Sequence, residues 1–407
     1  MNKMLVCFID GFDFNRINPE TTPFLAISLR KYPFARISTN PCTDHLPTLL
    51  TGKHPHEHEI FDVVLTDNKK KNSLLIKFFQ LLPDLVTTSL QCFLYLISAS
   101  FDLPTIPPDR RGLFQIMRTK TYKQKNNYIN LLKIGNSETV FNLVGKEQCR
   151  YLFTNSTRLN QKILPKIGRG DYTLEFVEVY SVDIAQMWNM DKASKIDSHY
   201  RGIDLFMNNL HEKCLGNGTK LILVSDHGYD KVVGTIDILS YIRDLNICED
   251  EFTYFIQFPM ARFWFKNNIS RNKASEFFHG INNMKTFTWR ELKKFDLVLQ
   301  DSRYGEIFCM AKRGYIFFPN DFVQPMADLF LGLFDKEQRP RLFDSKHKGS
   351  HTFLREYDSS RGFLIIFDEK YKPLNSNIKM VDVAPSLLKI LGYKTPDSMT
   401  GKPAFNI

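Results

Sequence analysis

The sequence predicts an α/β protein built on a largely parallel sheet, and three observations predict it. Four short apolar runs rich in branched and aromatic residues each end on an aspartate: LVCFID at Asp10, FVEVYSVD at Asp183, LILVSDHG at Asp226 with His227 beside it, and FLIIFD at Asp368. Helical patterns follow the runs in β-then-α order, and Gly216 and Gly218 stop one such helix before the next strand. The runs lack polar alternation, so they read as strands buried on both faces. Open sheets of that kind place ligands beyond the carboxyl ends of their strands, so the aspartates are expected to converge on one edge.

Taken in order, the first run gives the strand that delivers Asp10. MNKMLVCFID is too short for a signal peptide and spends its apolar residues on that strand. TPFLAISLRK predicts a helix from Pro23 to Lys31. NPCTDHLPTLLTG, from Asn40 to Gly52, predicts a loop entering a short helix that Gly52 ends. A helix N-terminus offers spare N–H groups and positive potential, which stabilise a thiolate, an alkoxide or a phosphate, so Cys42 and Thr43 are candidate nucleophiles. The alternative for this stretch is that Thr43 or Asp44 caps the helix and Cys42 packs.

Residues 62–165 mix an apolar segment at 74–101 with a Lys- and Asn-rich stretch and predict a cap peripheral to the sheet. Lys77, Gln80, Pro83, Asp84 and Gln91 interrupt the apolar segment, which argues for a buried helical hairpin over a membrane span; contact with a membrane surface is the second reading. The core resumes near Tyr172 with the strand to Asp183, a helix from about Ser194 to Leu215, and the strand to Asp226. Residues 232–344 turn irregular and aromatic and predict a second cap insertion, with antiparallel strands at FTYFIQF and ARFWFKN. His351, the strand to Asp368 and a helix in VDVAPSLLKILG close the chain.

Composition narrows the function classes. With 407 residues, 43% hydrophobic and 24% charged, and no repeat or low-complexity tract, the chain is ordinary globular material, which excludes a disordered or fibrous role. A net charge of +10 favours an anionic partner. The basic residues are scattered apart from Lys69 to Lys71, with no basic and aromatic alternation, which argues against nucleic acid. Seven widely spaced cysteines without a CxxC pair read as reduced thiols and a cytoplasmic location. Carboxylates at Asp10, Asp183 and Asp226 brought to one edge with His227 would repel one another unless they shared a cation. A divalent metal, and hence a metal-dependent hydrolase, is the economical expectation.

A series of landmarks then comes in a definite order: DGF at Asp10 to Phe12; TLLTG followed by HPHEH with Pro55 and His58; the strand to Asp183 and a helix holding Ile203 and Asp204; SDHG at Ser225 to Gly228; GSH at Gly349 to His351; and VDVAPSLLKILG at Val381 to Gly392. In this order the chain resembles the alkaline phosphatase superfamily, in its branch of type I phosphodiesterases, nucleotide pyrophosphatases and sulfatase-like hydrolases. The resemblance implies a three-layer sandwich with a mainly parallel central sheet and cap insertions. It implies one metal bound by Asp10, Asp226, His227 and the nucleophile, and a second bound by Asp183, His351 and a further histidine. Zinc is the first expectation for these ions, one or two in number, with manganese or calcium as alternatives. His58 is expected to be structural.

The implied activity is hydrolysis of phosphate esters, as a phosphodiesterase or phosphatase, through a covalent intermediate on the nucleophile loop. The alternatives are a sulfate-ester hydrolase, a transferase of phospho-groups onto glycan or lipid, and a non-catalytic anion-binding homologue. Two departures bear on the choice. Counting back from Gly52, the nucleophile position falls on Cys42, with Thr43 one place off, and Cys42-Thr43-Asp44-His45-Leu46 lacks the Cys-x-Pro-x-Arg context in which sulfatases make formylglycine. Met187 stands where the phosphodiesterases carry a histidine, and a thioether is a poor ligand for zinc or manganese. His199, Asp197, Asp191 and His54 are the candidate substitutes.

Overall fold

A computed structural model of the chain describes residues 3–41, 44–62, 64–66, 137–321, 325–334, 336–351, 354 and 356–406, with short pieces at 82–83, 85–86, 89, 114–116 and 133–134. Cys42, Thr43 and almost all of the apolar segment 74–101 lie outside the described residues. Among the described residues, no helix is long and apolar enough to cross a membrane.

In chain order the elements that shape the core are β1 (Met4–Ile9), α1 (Pro23–Lys31), β2 (Phe34–Ser38), α2 (His45–Thr51), α3 (Pro55–His58), β3 (Cys149–Thr154), β4 (Leu174–Val179), α4 (Ser181–Asn189), α5 (Ala193–Gly216) and β5 (Lys220–Ser225). A second set follows: β6 (Phe252–Ile256), β7 (Met260–Phe265), α6 (Asn268–His279), β8 (Met284–Thr288) and β9 (Ile307–Ala311). The chain then ends through β10 (Gly349–Ser350), β11 (Arg361–Ile366), β12 (Asn377–Lys379) and α7 (Val383–Leu391).

The central sheet has seven strands in the order β12–β2–β11–β5–β1–β4–β3. β1 lies between β4 and β5 and pairs with both in parallel. All six of its residues are buried, because both faces are covered. Met4, Val6 and Phe8 point into one core with Leu49 and Leu50 of α2 and Leu387 and Leu388 of α7. Leu5, Cys7 and Ile9 point into the other with Leu25 of α1 and Ile203, Phe206 and Leu210 of α5. Each fully buried aliphatic or aromatic side chain contributes about 1.5–3 kcal/mol, so a strand buried on both sides anchors both helical layers at once. β3, inside the stretch 62–165, is the parallel edge strand beside β4.

β11 alone in this sheet runs antiparallel to both neighbours, β2 and β5. This corrects the expectation for Asp368. Its strand ends on the opposite edge from Asp10 and Asp226, and there Asp368 pairs with Lys370 at 3.3 Å. An apolar run has the same pattern in either direction, so the sequence alone does not carry the strand's sense.

The strands expected at FTYFIQF and ARFWFKN are β6 and β7, which pair antiparallel and extend into a four-stranded sheet in the order β6–β7–β9–β8. This sheet has its own core, in which Ile256, Phe263, Cys309 and Phe278 of α6 meet. Arg262 of β7 is fully buried and ties the sheet to the loop after α3. It donates to Asp62 Oδ2 at 2.7 Å and to the Tyr304 carbonyl at 3.1 Å, while Gln257 donates to the other Asp62 oxygen at 2.9 Å.

Breaking one side of a buried ion pair strands the partner's charge, so Asp62→Ala should destabilise the protein by about 3–5 kcal/mol. Replacing the pair together with apolar residues should cost far less. Thermal denaturation of the single and double variants checks this. Gly362 in β11 supplies a second prediction. A methyl group there would fall onto the Ser225 carbonyl oxygen and within 2.7 Å of that of Asp226. Backbone has nowhere to go in a paired strand, so Gly362→Ala should cost about 1–3 kcal/mol or more, read as a fall of several degrees in Tm.

Candidate metal centre

Asp10 follows β1 and Asp226 follows β5, and the parallel register that sets Phe8 opposite Val224 delivers the two carboxylates side by side. The turn after β1 is built to hold them. Gly11 takes φ +70°, a left-handed conformation that glycine adopts without cost, and its N–H donates to Asp226 Oδ1 at 3.1 Å. A side chain at Gly11 would also press on the Tyr229 ring at 3.1 Å and on Asp183 Oδ1 at 3.2 Å. The His227 N–H adds a second bond to Asp226 Oδ1 at 3.0 Å, and the Ser225 hydroxyl accepts from the Phe12 N–H at 3.0 Å.

Asp183 reaches the same place by another route. The expectation was a strand running to Asp183, but β4 stops at Val179 and Asp183 sits in the first turn of α4. Ser181 and Asp183 favour a helix N-terminus, where a carboxylate complements the helix dipole, and that preference ends the strand early. The Tyr229 hydroxyl donates to Asp183 Oδ1 at 2.7 Å and fixes its orientation.

His351 enters from β10, which pairs antiparallel with Asp230 and Lys231 just past the SDHG turn. Its Nε2 lies 3.8 Å from Asp183 Oδ1, and its ring stacks flat on His227, with centroids 4.1 Å apart and planes 6° from parallel.

His45 was not anticipated. It is the first residue of α2, capped by Asp44, whose carboxylate accepts from the Leu46 N–H at 3.2 Å; Gly52 ends the helix at φ +63° as expected. His45 Nδ1 lies 3.1 Å from Asp226 Oδ2 and its Nε2 lies 3.0 Å from the Asn40 carbonyl. A histidine in a first turn gains nothing from the helix dipole, and that mismatch was the available sequence signal.

Asp10, Asp183, Asp226, His227 and His351 therefore converge. Candidate ligand atoms of His45, Asp226 and His227 lie within 4.8 Å of one another, as do those of Asp183, His227 and His351. Asp10 Oδ1 joins through His227 Nε2 at 3.5 Å. Among the described residues, none of the candidates named to replace the histidine absent at Met187 belongs to these groups. Asp197 faces Arg16 at 3.8 Å and His54 stacks on His56.

The electrostatics fit a cation. Burial first, then the neighbouring charges of Asp226, Asp183, Glu178 and Asp44, push Asp10 well above the usual carboxylate range. Asp183 is raised mainly by burial. Burial would raise Asp226 too, but His227, the His45 contacts and the Gly11 N–H outweigh it and hold it at about 2. Closely spaced carboxylate oxygens and imidazole nitrogens suit a divalent zinc ion best, whereas calcium takes oxygen donors alone.

His58 braces the helix that carries His45. Its Nδ1 accepts from the Ile60 N–H at 3.2 Å, which leaves Nε2 to donate to the Thr48 hydroxyl at 3.1 Å. Burial, with smaller contributions from His54 and His56, holds its pKa down at about 3. The unfolded chain takes up this proton below about pH 6.5 while the folded chain refuses it until about pH 3, so His58 costs stability as pH falls through that window. The expected slope is about 1.4 kcal/mol per pH unit. Replacing His58 with glutamine should flatten the acid limb of a Tm–pH curve by one proton's worth.

No family model matches the sequence, and no curated protein matches it. Solved structures match the fold. Murine ectonucleotide pyrophosphatase/phosphodiesterase 5 superposes with a TM-score of 0.64 at 12% identity, covering 97% of this chain and 96% of that one. The human protein of the same name gives 0.64 at 13% identity with the same coverage. An inactive variant of the murine protein in complex with AMP gives 0.62 at 14%, again covering 97% and 96%. The chain has the alkaline phosphatase fold. At these identities the likeness is one of architecture, and in this alkaline-phosphatase-like sandwich the carboxylate and histidine cluster occupies the strand-end edge where such sheets bind ligands.

Proposed function

We propose that the protein is a metal-dependent hydrolase of phosphate esters, of the phosphodiesterase or phosphatase type. The observation that carries this reading is the convergence of Asp10, Asp183, Asp226, His45, His227 and His351, most of them buried, at one edge of an alkaline-phosphatase-like sheet. Solved neighbours of that fold are named nucleotide pyrophosphatase/phosphodiesterases, and one is a complex with AMP, which supports an anionic phosphate ester as substrate. The net charge of +10 supports the same class. Asp10, Asp183, Asp226, His227 and His351 would hold divalent ions, with zinc the first choice. Bound there, such ions neutralise charge on the phosphoryl oxygens and ease ionisation of a nucleophile.

The chain's own residues supply the rest. Thr43 or Cys42 is the nucleophile: its oxygen or sulfur bonds to phosphorus in line with the departing alcohol, and water then cleaves that bond to release phosphate or a monoester and restore the side chain. Tyr229 keeps Asp183 oriented, and the Gly11 and His227 N–H groups keep Asp226 fixed. A phosphoester reading is favoured over a sulfatase one by the sequence after Cys42, which lacks the formylglycine context.

The test is turnover of a bis-aryl phosphate, a mono-aryl phosphate and an aryl sulfate by the full chain loaded with zinc or manganese. Asp226→Asn should lower kcat/KM by at least about a hundredfold, matching loss of several kcal/mol of charge stabilisation. Absence of turnover on all three esters, with metal bound, would overturn the hydrolase reading in favour of an anion-binding protein.

A further inference from the structure

Two pairs of histidine rings meet in the centre, and their orientations differ. His227 and His351 are stacked 6° from parallel at 4.1 Å, whereas His45 and His227 meet at 64° with centroids 5.6 Å apart. An imidazole nitrogen donates its lone pair in the plane of its ring. Nearly parallel planes a ring's thickness apart do not meet within the 2.0–2.1 Å of a zinc–nitrogen bond, so His227 and His351 cannot share one ion as they stand. Steeply inclined planes do meet. Proximity groups His227 with both histidines, and orientation assigns it to His45.

The outer ring nitrogens give the same answer. His227 Nδ1 lies 3.1 Å from the Gly228 carbonyl and His45 Nε2 lies 3.0 Å from the Asn40 carbonyl. A carbonyl oxygen only accepts, so each of these nitrogens carries the proton, and the inner nitrogens, His227 Nε2 and His45 Nδ1, are left for another partner. Both face the same atom: Asp226 Oδ2 is 3.4 Å from the first and 3.1 Å from the second. Two nitrogens and a carboxylate oxygen brought together, with each ring fixed from behind by a backbone carbonyl, is the arrangement of metal-ligating histidines.

We infer that His45 is a metal ligand and that the centre is asymmetric. One ion is held by His45 Nδ1, His227 Nε2 and Asp226, with Asp10 adjacent; the second site has Asp183 and His351 as its described protein ligands and binds more weakly. The inference rests on the metal-dependent reading above and goes beyond it, because it gives a ligand role to the first residue of the short helix α2. It also accounts for Met187: the second site lacks a histidine, and the first has gained one.

Cobalt(II) and zinc titrations of the full chain test this, with visible absorption reporting cobalt geometry and a chromophoric chelator reporting zinc affinity. The wild type should show one tight and one weaker class of site. His45→Ala should weaken the tight class by at least about tenfold and change its cobalt spectrum, since even residues behind a ligand are worth that much. His351→Ala should remove the weaker class and leave the tight one unchanged. His45→Gln, with the melting temperature of the metal-free protein, separates loss of a ligand from loss of fold. Unchanged tight-site affinity and spectrum in folded His45 variants would overturn the assignment while leaving the hydrolase reading intact, as would loss of the tight site in His351→Ala. A wild type that binds neither ion would overturn both.

Discussion

The structure turns on the Asp226 carboxylate. It is buried at the end of a strand, and both of its oxygens are committed: Oδ1 accepts two backbone N–H groups, from Gly11 and His227, and Oδ2 faces His45 and His227. A buried charge is tolerable only when it is paired and hydrogen-bonded, and each of those partners comes from a different part of the chain. The turn after β1, the SDHG turn and the helix α2 are therefore located by one side chain. Anything that moves Asp226 moves all three.

Around that point the fold removes freedom in layers. The parallel pairing of β1 with β4 and β5 fixes where Asp10 and Asp226 emerge, and Tyr229 fixes the carboxylate that α4 contributes. Asp204 of α5 accepts from the Phe24 and Leu25 N–H groups at 3.0 and 2.9 Å, so the first turn of α1 is capped by a side chain from the neighbouring helix of the same layer rather than by its own Thr22. The landmark Asp204 is thus explained by helix capping, with no part in the centre. Donors left over at one helix end are satisfied by a carboxylate from another, which joins the two helices of the layer with directional bonds as well as apolar contact.

Most of the sheet was legible because it depends on local pattern, and so was the gathering of Asp10, Asp183, Asp226 and His227; His351 was named only through the family resemblance. A run rich in branched and aromatic residues reads as a buried strand, and the pattern from Pro23 to Lys31 became a helix with those same bounds. What was not legible depends on direction, on competition or on distance. Asp368 ends an apolar run like the others, but its strand is reversed. In FVEVYSVD the β-formers argue for a strand through Asp183, while Ser181 and Asp183 argue for a helix start; the structure settles the competition two residues after Val179. His45 reads locally as one more residue after a capping aspartate, and its role comes from Asp226, 181 positions away.

The orientation of the histidines links the chain's main departure to its site chemistry. A two-metal centre on this fold needs enough nitrogen donors for both ions, and a histidine ring tethered through one nitrogen has one left to give. With Met187 in place of a histidine, the proposed donors would not divide evenly between two ions. His227 cannot serve both sites, because its remaining nitrogen lies in a plane that meets that of His45 and runs nearly parallel to that of His351. An uneven centre has a chemical consequence. On that proposal His45, His227 and Asp226 would hold one ion firmly, whereas Asp183 and His351 would hold the other with few protein donors, and a bound phosphate ester would add to its affinity. Affinity for the second ion and affinity for the phosphate ester would then be one coupled quantity, each raising the other by the same factor.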